Sequence, residues 1–204
     1  AKDSNNRDIR VAAMTSIANR ADRLADVLLN NSEFLKKSGS TVWLTEIART
    51  AGAEINVKSQ IRMLSIISQA KQRVLRRALL QSFGDGLKRR GRSIDSLLKH
   101  DSVSPSIRAR VATMFAQAAT TANDADQKEA ERVASIGLLA FAEPVFALQR
   151  IAGLLEPQNS QSIQRATINS ISKLASARVS DALLSNWSSY SPQLRRDVVD
   201  ALMR

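Results

Sequence analysis

No cysteine occurs among the 204 residues. Disulfides, zinc knuckles, haem-attachment motifs and thiol nucleophiles are therefore excluded from this stretch of chain, although the compartment is left open. One histidine, His100, is present. A Ser-His-Asp triad or a histidine-based metal site would have to be built around that single ring, and no Gly-x-Ser-x-Gly elbow accompanies it. Aromatic residues make up 4% of the chain, with seven Gly and four Pro. Sandwiches and barrels need more turn residues and more aromatic and β-branched positions than this. No apolar run approaches the roughly 20 residues that span a bilayer.

What is present is helix-forming. Ala, Leu, Ser, Arg and Gln dominate, and the hydrophobic share is 44%, enough for a sizeable core. A hexapeptide recurs: Ala134-Ser135-Ile136-Gly137-Leu138-Leu139, Ala166-Thr167-Ile168-Asn169-Ser170-Ile171 and Asp197-Val198-Val199-Asp200-Ala201-Leu202, at offsets of 32 and 31 residues. Ala12-Ala13-Met14-Thr15-Ser16-Ile17 has the same form. Self-similarity at this period is the mark of stacked supersecondary units, none of which buries its apolar face alone. The expected fold is all-α: a right-handed solenoid of antiparallel helix pairs, HEAT/armadillo-like, forming one domain over 1–204. Within it, residues 1–122 are expected to be irregular and residues 127–204 regular, with Ala122–Asp126 as a polar break. The chain starts at Ala1 and stops at Arg204 inside a repeat, so it is expected to be an excised piece of a larger protein.

Helix punctuation supports this reading. Asn6 or Asp8 can cap a first helix bearing Ile9, Ala13, Met14 and Ile17, and a second carries Leu24, Val27 and Leu28. Ser40 or Thr41 caps a helix that Gly52 stops, and Asn56 starts the next. Leu75, Leu79, Phe83 and Leu87, each four apart, make the inner stripe of a long helix from about Gln72 to Arg90; Gly84 and Gly86 within it permit close contact, and Gly91 supplies a left-handed cap. A short helix spans Ile94–Leu98, and Ser104-Pro105 and Ser191-Pro192 open later ones. Trp43 and Trp187 are expected to plug gaps between helices.

The net charge is +11. Eleven Lys and Arg against three Asp fall between Lys71 and Arg110, which leaves the remainder close to neutral. Lys71, Arg73, Arg76, Arg77, Lys88, Arg89, Arg90, Arg92 and Lys99 are the candidate partner-binding basic patch. Such a stripe can track phosphates, dock an acidic domain, or simply be a solvated face with charges that complement helix C-termini. No aromatics are interleaved for base stacking. Gly84-x-Gly86-x-x-Arg89 lacks the third glycine and the preceding strand of a dinucleotide fingerprint. Asp124, Asp126, Glu129 and Glu131 lack the glycine and terminal glutamate of a calcium loop and suit a helix start. Neither catalytic residue, cofactor site nor metal site is expected.

The stretches Leu155-Glu156-Pro157-Gln158, Ile163–Ile168, Asn186–Arg195 and Phe83–Gly91 resemble the HEAT-like region of planctomycete-type membrane-bound dehydrogenases. In that family, the resemblance implies, a quinone-dehydrogenase-like propeller precedes the helical region and a c-type haem domain with Cys-x-x-Cys-His follows it. This chain carries neither. The resemblance thus implies a non-catalytic scaffold or interaction segment of an exported, periplasmic or membrane-associated bacterial dehydrogenase, with flanking domains or a protein as partner and no membrane insertion of its own. The competing expectation is a nucleic-acid-binding helical repeat, related to DNA-repair glycosylases, that uses the basic window 71–110.

Overall fold

The computed structural model describes residues 14–17 and 19–203. Of the first helix expected from the sequence, the cap at Asn6 or Asp8 and the residues up to 13 lie outside them; Met14, Thr15, Ser16 and Ile17 of its hexapeptide echo lie inside, and 14–16 are helical. All regular structure among the described residues is helical, and no strand occurs there.

The chain forms two compact units, 1–111 and 112–204. The first holds α1 (Ala21–Leu29), α2 (Ser32–Leu35), α3 (Ser40–Ala53), α4 (Val57–Gln69), α5 (Arg73–Lys88) and α6 (Ile94–Leu98). The division falls inside α7 (Pro105–Asn123). The second unit continues with α8 (Glu129–Leu139), α9 (Pro144–Ile151) extended by a 3-10 turn (Ala152–Leu155), α10 (Gln161–Ile171), α11 (Val179–Leu184), a 3-10 turn (Trp187–Ser189) and α12 (Pro192–Leu202). The polar stretch 122–126 is the turn between α7 and α8, within the second unit.

In the first unit α3 and α5 pack with their backbones in contact. The expected stripe of α5 is inward: Leu75, Leu79, Phe83 and Leu87 are all buried. Gly52 and Gly86 set the separation. A Cβ on Gly86 would strike the Arg49 carbonyl and lie 2.9 Å from the Ala53 nitrogen; one on Gly52 would strike the Phe83 carbonyl and lie 2.9 Å from the Leu87 nitrogen. Gly52 therefore does not stop α3, which runs on to Ala53; it lets two backbones touch. At the other end of α3 the N-cap is Gly39 (φ 86°) rather than Ser40 or Thr41, and the Ser40 hydroxyl donates instead to the Leu35 carbonyl.

Helix α5 closes as expected on Gly91 (φ 66°). The Gly91 amide donates to Lys88 O at 2.9 Å and the Arg92 amide to Leu87 O at 3.1 Å, the paired bonds of a Schellman cap. Asn56 caps α4 through Lys58 N at 2.9 Å. In α1 the buried face is Ala21, Asp22 and Ala25, and Val27 is 65% exposed rather than inward. Small residues face in because α1 packs on both α3 and α4.

In the second unit the recurrence is structural. Helices α8, α10 and α12 are eleven residues long, begin at 129, 161 and 192, and end on the last residue of each hexapeptide. Helix α10 packs against both α8 and α12. The Ser170 hydroxyl donates to the Ile136 carbonyl at 2.9 Å, and Arg165 Nε donates to Asp197 Oδ2 at 2.9 Å.

Candidate functional site

The basic window is distributed over both ends of α5. Lys71 precedes the helix, and Arg73, Arg76 and Arg77 occupy its first turns. Lys88, Arg89, Arg90 and Arg92 stand at its far end. Between Arg77 and Lys88 the helix carries no cation, a gap of about 16 Å at 1.5 Å per residue. The structure thus brings these residues together as two clusters and does not join them into one stripe along the helix.

Their hydrogen bonds say what several of them do. Arg90 Nε donates to the Ala53 carbonyl at 2.8 Å, and Arg76 Nη1 to the Ala70 carbonyl at 3.3 Å. Those carbonyls end α3 and α4, where no intrahelical donor remains and the helix dipole is negative. Arg92 Nη1 donates to Gln60 Oε1 at 2.9 Å. Lys99 pairs with Asp95 at 2.7 Å on the surface. Lys71, Arg73, Lys88 and Arg89 have their residues exposed to solvent, whereas Arg76, Arg77 and Arg92 are half-buried.

Arg76 belongs to a series that counting charges does not reveal. Six helices have Arg or Gln as their fourth residue, reaching back to the carbonyls that end the preceding helix or turn. Gln60 Nε2 donates to Gly52 O at 3.0 Å and Glu54 O at 2.7 Å. Arg108 Nε donates to Leu98 O at 2.8 Å and its Nη2 to His100 O at 3.0 Å. Arg132 Nε donates to Ala122 O at 3.0 Å. Gln164 Nε2 donates to Leu155 O at 2.9 Å, and Arg195 Nη2 to Ser188 O at 3.0 Å. A cation in the first turn of its own helix is opposed by that helix's dipole, and the contact to the preceding C-terminus offsets the cost. The pattern is legible in Ser104-Pro-Ser-Ile-Arg108, Ser160-Gln-Ser-Ile-Gln164 and Ser191-Pro-Gln-Leu-Arg195: a cap, a buried apolar residue three on, and the reaching side chain four on.

The remaining candidates fall into structural roles. His100 is exposed, and its Nδ1 accepts from the Ser102 amide at 3.2 Å. Gly84 and Gly86 lie inside α5, where no phosphate could meet a loop. Asp124 Oδ1 accepts from the Asp126 amide at 3.0 Å, and Glu129 and Glu131 stand in the first turn of α8. Ser162, whose hydroxyl bonds Glu129, and then Ser160 hold the Glu129 carboxyl below its ordinary range. Among the described residues no group of three His, Asp or Glu is placed to hold a metal ion, and no helix is long and apolar enough to cross a membrane. Trp43 is half-buried, but Trp187 plugs no gap: it is 36% exposed, and the Arg195 guanidinium lies 5.7 Å from its ring centre.

A groove of about 520 Å³ in the first unit is floored by Leu29, Leu35, Ile66 and Leu75. Among the described residues its ionisable lining is Asp26 and Lys71, which do not constitute a nucleophile and a base.

One buried carboxylate carries no signal in the sequence. Glu54 is 7% exposed, and its Oε1 accepts from the Asn19 amide at 3.0 Å, ahead of α1. Burial pushes its pKa up, and the neighbouring Asp22 adds to that, while the amides of Ala21 and Asn19 pull it down. A raised folded-state pKa means that the folded chain holds the proton more tightly than the unfolded one, so stability falls as pH rises above about 4.5, the unfolded value, and levels off above the raised pKa. Glu54→Gln keeps an acceptor for the Asn19 amide and removes this pH dependence. Urea denaturation at pH 4 and pH 7 is expected to show the variant gaining on the wild type at the higher pH.

No family model matches the chain, and neither a curated protein nor a solved structure matches it.

Proposed function

We propose that the chain is a non-catalytic helical-repeat scaffold of the HEAT/armadillo-like solenoid type, which holds neighbouring domains at a fixed spacing or offers them a surface. The observation that carries the reading is the equality of α8, α10 and α12: same length, offsets of 32 and 31, and α10 bonded to both neighbours by side chains of its own face. Catalysis needs groups that converge on a reacting atom, whereas this polar inventory is directed at helix ends. The resemblance to the dehydrogenase family adds the proposal that the parent is an exported redox protein in which this segment lies between a propeller and a haem domain.

The repeat reading makes a testable demand. In a linear array each unit contacts only its neighbours, so stability is a sum of unit and interface contributions. A chain ending at Lys173 loses α11 and α12. It is expected to keep a cooperative urea transition, at a lower midpoint, with helical signal reduced in proportion to the residues removed. Loss of the helical signal of the whole second unit, rather than of the removed residues alone, would show that the second unit is one indivisible core.

A second reading has its own observation. Lys71, Arg73, Lys88 and Arg89 remain exposed to solvent, and a surplus of cations on a helical surface supplies non-specific affinity for nucleic acid. The arginines committed to backbone carbonyls weigh against it.

A further inference from the structure

The three matching helices of the second unit differ in what covers them. Ile136 on α8 and Ile168 on α10 are both 0% exposed, and the matching Val199 on α12 is 47% exposed. Leu139 and Ile171 are likewise 0% exposed, and the matching Leu202 is 36% exposed. Met203, next in the chain, is 83% exposed. The charges follow the same rule. Arg165 on α10 reaches Asp197 on α12, whereas Arg196, one repeat further on, makes no ion pair among the described residues. Helix α12 therefore presents the face that α10 presents, without the helix that α10 has against it.

We infer that this face of α12 is a docking surface for a further repeat of the same polypeptide, whose first helix copies the inward face of α12. The complement can be read from α12 itself, which packs on α10, pairs Asp197 with Arg165 and buries Leu194, Val198 and Ala201. The occupant is an amphipathic helix with apolar residues at i, i+4 and i+7 and an acid at i+3, the acid meeting Arg196. Its source follows from size. One eleven-residue helix offers a narrow face, and a freely diffusing partner needs roughly 1,000 Å² of buried surface. A tethered helix avoids the association penalty because its effective concentration is set by the link. This inference rests on the repeat reading above.

The test appends residues 173–203 directly after Met203, where the period places the next Lys173. Urea unfolding followed by far-ultraviolet circular dichroism is expected to show added helical signal, a larger m-value and a higher midpoint than the original chain. Val199→Ser with Leu202→Ser is expected to lower the midpoint of the extended chain by about 1 M urea, and that of the original by a small fraction of this. Arg196→Glu is expected to lower the midpoint of the extended chain only. Equal shifts in the two backgrounds, or an appended pair that adds no helical signal, would overturn the inference. If the chain ending at Lys173 keeps the helical signal of its remaining second-unit helices while the extension adds nothing, the docking face is refuted and the repeat reading survives; if that truncated chain loses the signal of the whole second unit, the repeat reading itself has failed.

Discussion

Replacing Gly86 by Ala is expected to lower stability by about 3 kcal/mol, against the direction that helix propensity alone dictates. Within a helix, Ala is favoured over Gly by about 1 kcal/mol. Here the added methyl would run into the Arg49 carbonyl and approach the Ala53 nitrogen at 2.9 Å, and both are backbone atoms of a buried helix that cannot rotate aside. Helix α3 would have to back away from α5, opening the layer that Leu44, Ile47, Leu79 and Phe83 fill at 0% exposure. Gly52→Ala meets the reciprocal obstacle in the Phe83 carbonyl. Gly153→Ala is the control: its Cβ would meet only the Glu156 carboxylate, at 3.8 Å. Its cost is expected to be near zero. Chemical denaturation of the three variants checks the ordering, and a neutral Gly86→Ala would mean that the two helices are not in backbone contact.

Gln60→Leu is the second substitution with a large expected effect, a loss of about 2–4 kcal/mol. Gln60 is 0% exposed and its amide is fully used: two N–H groups serve Gly52 O and Glu54 O, and its oxygen accepts from Arg92. Leucine fills the space but leaves two carbonyls and a half-buried guanidinium without partners. Each buried orphan costs about 1–3 kcal/mol, more than the net value of a single intact hydrogen bond. Gln164→Leu is the related experiment in the second unit: it orphans Leu155 O, while Glu156 O keeps the Asn159 amide at 3.1 Å. A loss at both sites, measured by urea denaturation and smaller at Gln164, where one carbonyl rather than two and a guanidinium is stripped, is expected from a device that recurs along the chain.

The features of the fold that are legible in the sequence are those set by local spacing. The hexapeptides mark the ends of α8, α10 and α12, the four-residue stripe of α5 is inward throughout, and Asn56, Gly91 and the two Ser-Pro pairs punctuate helices as their chemistry requires. What escapes depends on residues far apart. Gly52 reads locally as a stop because glycine near the end of an apolar run commonly is one, but its role is fixed by Gly86, 34 positions later. Val27 has the spacing of a core residue, yet α1 meets its neighbours through Ala21 and Ala25, so the larger side chain is left outside. Trp187 reads as a plug by its size; a 3-10 turn holds it at the surface under Arg195. The basic window reads by sign alone. What Arg76, Arg90 and Arg92 do is set by the atom that each guanidinium reaches, and that depends on how the helix ends are brought together.

The measurement that tests the scaffold account most directly is a titration of labelled duplex DNA by fluorescence anisotropy between about 50 and 200 mM salt. If the window's arginines serve helix ends and the exposed cations form two separated clusters, binding at physiological salt should not saturate below about 100 µM, at the weak end of ordinary non-specific affinity. A dissociation constant near or below about 1 µM that weakens about a thousandfold across that salt range, and is lost when Lys71, Arg73, Lys88 and Arg89 are changed to Gln, would contradict it and establish the chain as a nucleic-acid binder.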